Sequence, residues 1–258
     1  MDIATLLGFL LAWGALLGSC LMEGGELAGF LNIPALVLVI GGTLGATVIG
    51  MPFQQIKTLP AIIRQAFFNK PVDPVQMTKT VVGYATRARR DGVLALEEEA
   101  KKAGNDFLRL GIELVVDGTP SDLTREILDI EVEAMRARHR QGESIFSTLG
   151  GFAPTLGILG TVMGLVHMLA NLSEPDKMGG AIANAFIATL YGVGFANLVF
   201  LPIANKLKLR SQQEITSYQL AIEGILAIQA GENPRAVAAR MRSFLSPKEK
   251  SQASEGKE

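Results

Sequence analysis

The stretch that decides the fold is residues 144–173, SIFSTLGGFAPTLGILGTVMGLVHMLANLS, which contains no Asp, Glu, Lys or Arg. Its 30 residues exceed the roughly 20 that an α-helix needs to cross about 30 Å of hydrocarbon. Three further runs lack the same four residue types: Ile3–Met22, Leu27–Ile56 and Met178–Asn205. Each is also about 20 residues or longer, so we predict a membrane protein with four transmembrane helices.

The basic residues are divided unevenly around these runs. Of the 24 Lys and Arg residues, fourteen lie within residues 57–140 and nine within residues 206–257, and the remaining one is Lys177. Positively charged loops stay in the cytoplasm. We therefore place the chain in the cytoplasmic (inner) membrane, with both termini and both basic blocks in the cytoplasm. The short connections Glu23–Glu26 and Glu174–Lys177 then face outwards.

The predicted fold class is an all-α membrane protein in four segments. Residues 1–52 hold transmembrane helices 1 and 2 with a short periplasmic loop, and residues 53–144 form a large cytoplasmic helical domain. Residues 145–204 hold transmembrane helices 3 and 4, and residues 205–258 form a cytoplasmic helix followed by a disordered tail. Apolar residues at helical spacing support a helix inside the cytoplasmic domain: Leu123, Ile127, Ile130 and Ala134.

Composition argues against several classes of function. Residues 53–144 carry fourteen acidic and fourteen basic side chains, which favours a solvated surface of mixed charge over a groove for nucleic acid. No nucleophile–base constellation, phosphate loop or paired metal-ligand spacing is present, so we expect neither an enzyme nor a cofactor or metal. Cys20 is the single cysteine and is interpreted as a small apolar filler of the first run.

None of the four apolar runs contains a carboxylate. Ion carriers in membranes generally use an intramembrane Asp or Glu, because a charge there is costly and persists for function. If this protein moves ions, a partner chain must supply that group. His167 lies in the third run, where it is either a neutral residue at a helix–helix contact or a proton relay.

Hydroxyls and prolines are the other polar features of the runs. Thr161 and Thr189 either return their hydroxyls to a carbonyl of their own helix or line an ion path, where oxygen atoms replace part of a hydration shell. Pro154 lies seven residues before Thr161 and therefore on the same helix face. It frees a carbonyl and kinks the helix, either as a packing feature or as a hinge, and Pro202 marks a bend at the inner membrane edge.

Several motifs together resemble the MotA/PomA flagellar stator family, within the wider group that contains TolQ and ExbB. The resemblance covers nearly the whole chain in order and matches the four-span layout. The motifs are 153–165 (APTLGILGTVMGL), 188–192 (ATLYG), 200–206 (FLPIANK), 41–43 (GGT), 88–97 (ARRDGVLALE), 224–229 (GILAIQ) and 233–235 (NPR).

This resemblance implies a stator subunit of the bacterial flagellar motor. Five copies would surround two copies of a single-span MotB or PomB partner, whose membrane aspartate carries the ion, and the cytoplasmic domain would turn the rotor by contacting FliG. Motif position then implies a role for each site residue. The ion-path residues are Thr161, Thr189 and Pro154; the hinge or coupling residues are Pro154 and Pro202; the rotor-contacting residues are Arg89, Arg90 and Glu97.

The resemblance also bears on the ion. Sodium-type relatives tend to have threonine at the position of Thr161, whereas several proton-type relatives have alanine, so we expect Na⁺ in preference to H⁺. Some relatives carry an acid where this chain has Gly151, so no role of that acid transfers here.

Two other functions remain open on the sequence. The first is a TolQ- or ExbB-like motor that energises an outer-membrane process, although such relatives usually have three spans. The second is a membrane scaffold that organises partners without conducting ions.

Overall fold

A computed structural model describes residues 3–25, 27–68, 72–102, 104–170, 173 and 175–254. These residues are largely helical and contain no strand, which confirms the predicted all-α class. The helices are α1 (Ile3–Met22), α2 (Ile33–Leu36), α3 (Gly42–Ile49), α4 (Phe53–Lys57), α5 (Leu59–Phe68), α6 (Pro74–Asp91), α7 (Leu96–Lys102), α8 (Asp106–Val116), α9 (Ser121–Ala170), α10 (Pro175–Phe195), α11 (Leu201–Gln229), α12 (Pro234–Ser243) and α13 (Pro247–Ser254). Short 3₁₀ turns occur at Leu27–Phe30 and Val93–Ala95, and π-helical turns at Val37–Gly41 and Ala196–Phe200.

The chain divides into two compact units. The first unit comprises Met1–Asn69 and His139–Lys208, and the second unit comprises Lys70–Arg138 and Leu209–Glu258. The four predicted segments remain a prediction, because compactness does not report position relative to a membrane. Their boundaries at residues 144 and 204 fall inside α9 and α11. A helix satisfies its own backbone hydrogen bonds in both lipid and water, so a helix that passes from one to the other does not have to end there.

Within the described part of the chain, three helical stretches are long and apolar enough to cross a membrane: Ile3–Met22, Ser121–Ala170 and Met178–Gln229. The second predicted span is shorter. Its apolar helical part is Ile33–Ile49, and its 17 residues extend for about 26 Å at 1.5 Å per residue. The four-span topology therefore stays a prediction.

The first unit exposes many large apolar side chains, and small residues fill part of its interior. Ala153 and Ala196 are fully buried, whereas Leu11 is 73% exposed and Val166 is 61% exposed. An apolar exterior of this kind is typical of helices that face lipid or neighbouring helices.

The second unit has a conventional apolar core. Its centre is fully buried and is formed by Val81, Leu96, Ile112, Leu128, Leu220, Ile225, Val237 and Met241. Gly111 and Gly224 admit this packing, because a Cβ would lie 2.3 Å from Ile225 Cδ1 at the first position and 2.4 Å from Val81 Cγ1 at the second.

The helix predicted from Leu123, Ile127, Ile130 and Ala134 is present as the first part of α9, but that stripe is not its buried face. Leu123 is 45% exposed and Ile130 is 61% exposed. The buried positions are Thr124, Leu128 and Val132. The segment carries two apolar stripes, and packing against the core selects the one that includes a threonine.

The predicted disordered tail is partly wrong. Residues 247–254 form α13, and the rest of the predicted tail, residues 255–258, lies outside the described part of the chain. Ser246 and Glu249 form a capping box, in which the Ser246 backbone N–H donates to the Glu249 carboxylate (2.8 Å). The Ser246 hydroxyl accepts from the Glu249 N–H in return (3.4 Å), so two donors at the helix start are satisfied.

Candidate functional site

The structure brings Thr161 of α9 and Thr189 of α10 into direct hydrogen-bond contact through their hydroxyls. The Thr161 hydroxyl also lies 3.0 Å from the carbonyl oxygen of Ala185 and 3.3 Å from that of Gly157. The Thr189 hydroxyl lies 3.4 Å from the same Gly157 oxygen. We call these four oxygen atoms, Thr161 Oγ1, Thr189 Oγ1, Gly157 O and Ala185 O, the oxygen cluster.

Thr161 makes the contact within its own helix that one of the two interpretations predicts, and a second contact with α10. Its hydroxyl reaches the carbonyl four residues back in its own helix, as threonines in membrane helices commonly do, and it also reaches α10. Each hydroxyl has one proton and two lone pairs, so both threonines keep acceptor capacity, whereas each carbonyl also accepts the N–H four residues on in its own helix. Thr161 and Thr189 are only partly buried within the chain. Whether they line an ion path stays a prediction.

Glycines on both helices make this contact possible. A Cβ at Gly157 would lie 2.9 Å from the Ala188 carbonyl oxygen and 3.1 Å from the Thr189 Cα. At Gly192 a Cβ would lie 2.4 Å from the Ala153 carbonyl oxygen. Helix backbones can approach this closely only where side chains are absent.

Pro154 is half-buried inside α9. Because proline has no backbone N–H, the Gly150 carbonyl lacks the helical hydrogen bond that residue 154 would otherwise donate. A Cβ at Gly150 would lie 2.5 Å from Leu201 Cδ2, which places this part of α9 against the start of α11. Pro202 is the next residue after Leu201 and is exposed. The two prolines therefore lie near one α9–α11 contact, but a hinge or coupling role for either stays a prediction.

A polar cluster that the sequence interpretation missed joins α2 to α10. The Asn32 side chain caps α2 by accepting from the Ala35 N–H (3.0 Å) and donates to Asn184 Oδ1 (2.9 Å). The Asn32 N–H donates to the Tyr191 hydroxyl (3.2 Å), which in turn donates to the Phe30 carbonyl. Asn before an Ile-Pro pair is an N-cap signal, so this end of the cluster was detectable.

The sequence interpretation also missed that Thr43 and Thr47 of α3 are buried. The Thr47 hydroxyl donates to the Thr43 carbonyl oxygen (2.8 Å).

His167 lies exposed in the last turn of α9, and its role stays open. Among the described residues, no three of His, Cys, Asp and Glu lie close enough together to hold a metal ion.

The second unit contains the three residues for which rotor contact is predicted, on the hairpin formed by α6, the turn 92–95 and α7. The Arg89 guanidinium donates to the Gly231 carbonyl (3.1 Å), and Lys101 pairs with Glu97 (2.9 Å). Arg90 donates twice to Asp91, each bond being 2.8 Å long. These bonds raise the pKa of Arg90 and hold that of Asp91 below its ordinary 3.8. All three residues therefore have partners within the chain.

Arg87 and Glu99 were missed by the sequence interpretation and join the two helices of this hairpin. The Arg87 guanidinium on α6 donates to the Glu99 carboxylate on α7 and lies 3.8 Å from Asp91. Burial, and to a lesser extent the Glu99 charge, raise the pKa of the adjacent Tyr84. A pair twelve residues apart follows no helical spacing, so sequence patterns do not reveal it.

Two family models match the chain. Residues 6–89 match the N-terminal region of motility protein A, and residues 99–220 match the MotA/TolQ/ExbB proton channel family. Among curated relatives, Motility protein A of Bacillus subtilis is 36% identical over 97% of this chain and 93% of its own length. The chain belongs to the MotA/TolQ/ExbB proton channel family.

Other MotA-type relatives agree with this assignment. Chemotaxis protein PomA of Vibrio alginolyticus is 37% identical over 95% of this chain and 96% of its own length. Among solved structures, a chain of the flagellar MotAB stator complex from Bacillus subtilis superposes with a TM-score of 0.90 at 36% identity, covering 96% of this chain and 98% of that one. A chain of C. jejuni MotAB gives a TM-score of 0.91 at 28% identity, with coverage of 96% and 97%.

Proposed function

We propose that this chain is the stator subunit of a bacterial flagellar motor. It lies in the inner membrane as a multi-pass protein with both termini in the cytoplasm. Five copies surround two copies of a MotB- or PomB-type single-span partner. Inward ion flow, of Na⁺ in preference to H⁺, turns this assembly, and the hairpin residues Arg89, Arg90 and Glu97 pass torque to the rotor protein FliG.

The observation that carries this proposal is the oxygen cluster between α9 and α10. The apolar runs contain no carboxylate, so a partner helix must bring the titrating acid to this chain. The partly buried hydroxyls of Thr161 and Thr189 are accessible to such a helix. The match of residues 6–89 to the motility protein A N-terminal region favours a flagellar role over a TolQ- or ExbB-like one.

Sodium is favoured by the chemistry of the oxygen cluster. Na⁺ is a hard cation that binds hydroxyl and carbonyl oxygen atoms in place of water. A proton carried on a carboxyl group needs no such ligands. One ion crossing about 100 mV releases roughly 2.3 kcal/mol, so each turn of the motor must consume many ions. Pro154 and Pro202, beside the α9–α11 contact, then serve as the coupling hinge between ion binding and movement.

The test is motility in a host whose own stator genes are deleted and which expresses this chain with its partner. We expect swimming speed to rise with external Na⁺ and to survive a protonophore at high Na⁺. Speed that ignores Na⁺ but collapses with the proton gradient would refute sodium coupling. No motility at any ion concentration, with normal membrane levels of both chains, would refute the stator function itself.

Thr161→Val and Thr161→Ser form a matched pair for the same assay. Valine keeps the shape but removes the hydroxyl, so we expect speed to fall at limiting Na⁺ and to recover partly at saturating Na⁺. Serine keeps the oxygen ligand and should remain close to wild type. Equal speeds for the valine variant and wild type at every Na⁺ concentration would argue that the oxygen cluster serves packing alone.

A further inference from the structure

A cavity in the second unit lies beside the N-terminal end of α6. Its volume is about 490 Å³, and ligand sites in proteins commonly measure about 300–1,000 Å³. Four of its lining side chains are apolar: Val72, Pro74, Leu209 and Phe244. Leu209 is 60% exposed and Phe244 is 46% exposed, so a ligand that covers them gains free energy. The cavity shares no residue with the oxygen cluster or with the predicted rotor contact.

The hydroxyl groups that line the cavity are hydrogen-bond acceptors towards any ligand. The Thr216 hydroxyl donates to the Gln212 carbonyl (2.9 Å), and the Ser217 hydroxyl donates to the Gln213 carbonyl (3.0 Å). A hydroxyl has one proton and two lone pairs, so both oxygen atoms keep acceptor capacity after making these bonds. A ligand must therefore bring the donors.

Two carboxylates add negative charge to the same cavity. Asp73 caps α6 by accepting from the Val75 N–H (2.9 Å), and Glu249 accepts from the Ser246 N–H (2.8 Å). Each carboxylate uses one oxygen in this way and keeps the other for a further donor. The hydrogen bonds from Ser246 hold the pKa of Glu249 below its ordinary 4.5. Of the described residues that line the cavity, none is Lys or Arg.

The rim of the cavity at Leu209 lies close to the end of an apolar run. Helix α11 is continuous through this region, and the run without charged residues ends at Asn205. Leu209 follows four residues later, about 6 Å further along the helix. The headgroup layer on each side of a bilayer is roughly 5–8 Å thick. With the run Met178–Asn205 in the membrane, as proposed, this rim lies at the depth of the inner-leaflet headgroups.

We propose that this cavity binds a primary ammonium group, carried by the headgroup of an aminophospholipid in the inner leaflet. An ammonium group has three N–H donors and no acceptor, which matches the carboxylates of Asp73 and Glu249 and the hydroxyl of Thr216. The ring of Phe244 attracts the cation and covers the adjoining methylene groups. This inference rests on the proposed membrane placement of the chain but not on its flagellar role.

The test measures lipid binding to the complete complex of this chain and its partner by native mass spectrometry. The complex is titrated with phosphatidylethanolamine or with phosphatidylcholine of the same acyl chains. The trimethylammonium group of phosphatidylcholine keeps the charge but has no N–H donor, so it is the matched control lipid.

The cavity variant combines Asp73→Asn with Glu249→Gln. Asparagine and glutamine still cap helices, so both helix ends keep their hydrogen bonds while the cavity loses its charge. The control variant combines Asp106→Asn with Glu133→Gln, which changes the net charge equally. These two side chains are 90% and 67% exposed and do not line the cavity.

We expect wild type and the control variant to bind phosphatidylethanolamine about tenfold more tightly than phosphatidylcholine, as hydrogen bonds to charged groups imply. The cavity variant should bind the two lipids equally. Equal binding by wild type, or an undiminished preference in the cavity variant, overturns the proposal.

Free ethanolamine distinguishes the lipid from a soluble amine as the source of the ammonium group. Failure of excess ethanolamine to displace phosphatidylethanolamine supports the headgroup, whereas displacement supports the ammonium site and overturns the lipid source. A complex that restores swimming but binds both lipids equally refutes the site and leaves the stator function standing. A complex that prefers phosphatidylethanolamine but restores no swimming refutes the stator function and leaves the site standing.

Discussion

A single methyl group at Gly157 would enter space that the backbone of α10 already occupies. The closest atoms, the Ala188 carbonyl oxygen and the Thr189 Cα, cannot rotate away as a flexible side-chain end could. Gly157 also provides a carbonyl of the oxygen cluster. Packing and the proposed ion-path chemistry therefore depend on the same residue.

We expect Gly157→Ala to destabilise the chain by about 1–3 kcal/mol, the usual cost of overpacking, and to abolish motility by separating Thr161 from Thr189. The measurement is the thermal midpoint of the detergent-solubilised complex, together with swimming. Gly151→Ala is the matched control, because a Cβ there meets nothing within 4 Å in this chain. Equal midpoints for the two variants would contradict the packing of α9 against α10.

Residue roles were predictable only where a pattern is local. Thr161 and Thr189 could be selected from their motifs, but their mutual contact depends on how α9 packs on α10. The stripe of Leu123 and Ile130 is a second example, because helical spacing predicted a helix but did not predict which of its faces is buried. Local chemistry specifies an element, and tertiary contacts then select among its faces.

At the scale of elements, the ion pair between Arg87 and Glu99 bridges the two helices of the α6–α7 hairpin, which is also anchored in the core by Leu96. Their side chains are 41% and 31% exposed, so solvent screens the pair and its free energy should be below about 1 kcal/mol. Asp91 has a depressed pKa, so its pair with Arg90 is intact at neutral pH and is lost only as pH falls below the ordinary 3.8. Asp91 therefore stays ionised and paired with Arg90 over the physiological pH range.

A double-mutant cycle of Arg87→Ala and Glu99→Ala should give a measurable coupling in thermal unfolding of the solubilised complex. The reason is that this pair joins two helices, so losing either partner releases the other. The pair Arg109 and Glu113, 3.8 Å apart within α8, is the control and should couple less. We also expect each single variant at Arg87 or Glu99 to reduce stall torque without changing complex mass. Zero coupling, with torque unaffected, would leave this hairpin held by Leu96 and the core alone.

Helix existence was predictable from the sequence, and helix boundaries were predictable only where turn or capping residues mark them. The break at Gly231 and Pro234 and the start of α9 at Ser121 follow from turn residues and caps. The tail helix α13 was missed because its composition is polar, and its stability depends on the Ser246–Glu249 capping box and on packing against α6. Contacts of that kind are not visible in composition.

At the scale of the whole molecule, the uneven distribution of charge sets the division of labour. Lys and Arg occupy the middle block and the tail, and the apolar runs contain no acid. A chain built in this way can form the wall of an ion path but lacks the group that binds and releases the ion. The missing carboxylate was evident from the sequence, whereas the contact between the hydroxyls of Thr161 and Thr189 required the structure.

We therefore expect the purified chain alone in liposomes to pass neither Na⁺ nor H⁺ above the level of empty liposomes under an imposed gradient. A sodium ionophore serves as the positive control for the flux signal. Co-purification with the partner should give a complex whose mass corresponds to five copies of this chain and two of the partner. Gradient-dependent flux through the chain alone would contradict this division of labour.

The π-helical turn at Ala196–Phe200 has a consequence for insertions and deletions. A π-helical turn is an α-helix with one inserted residue, and the helical segments before and after it keep the same side chains on the same faces. Deleting one residue within it should restore a plain α-helix and leave Thr189 and Lys206 on their original faces. The same deletion between residues 185 and 189 would rotate everything downstream by about 100°. Length differences of one residue among natural variants should therefore concentrate at the π turn.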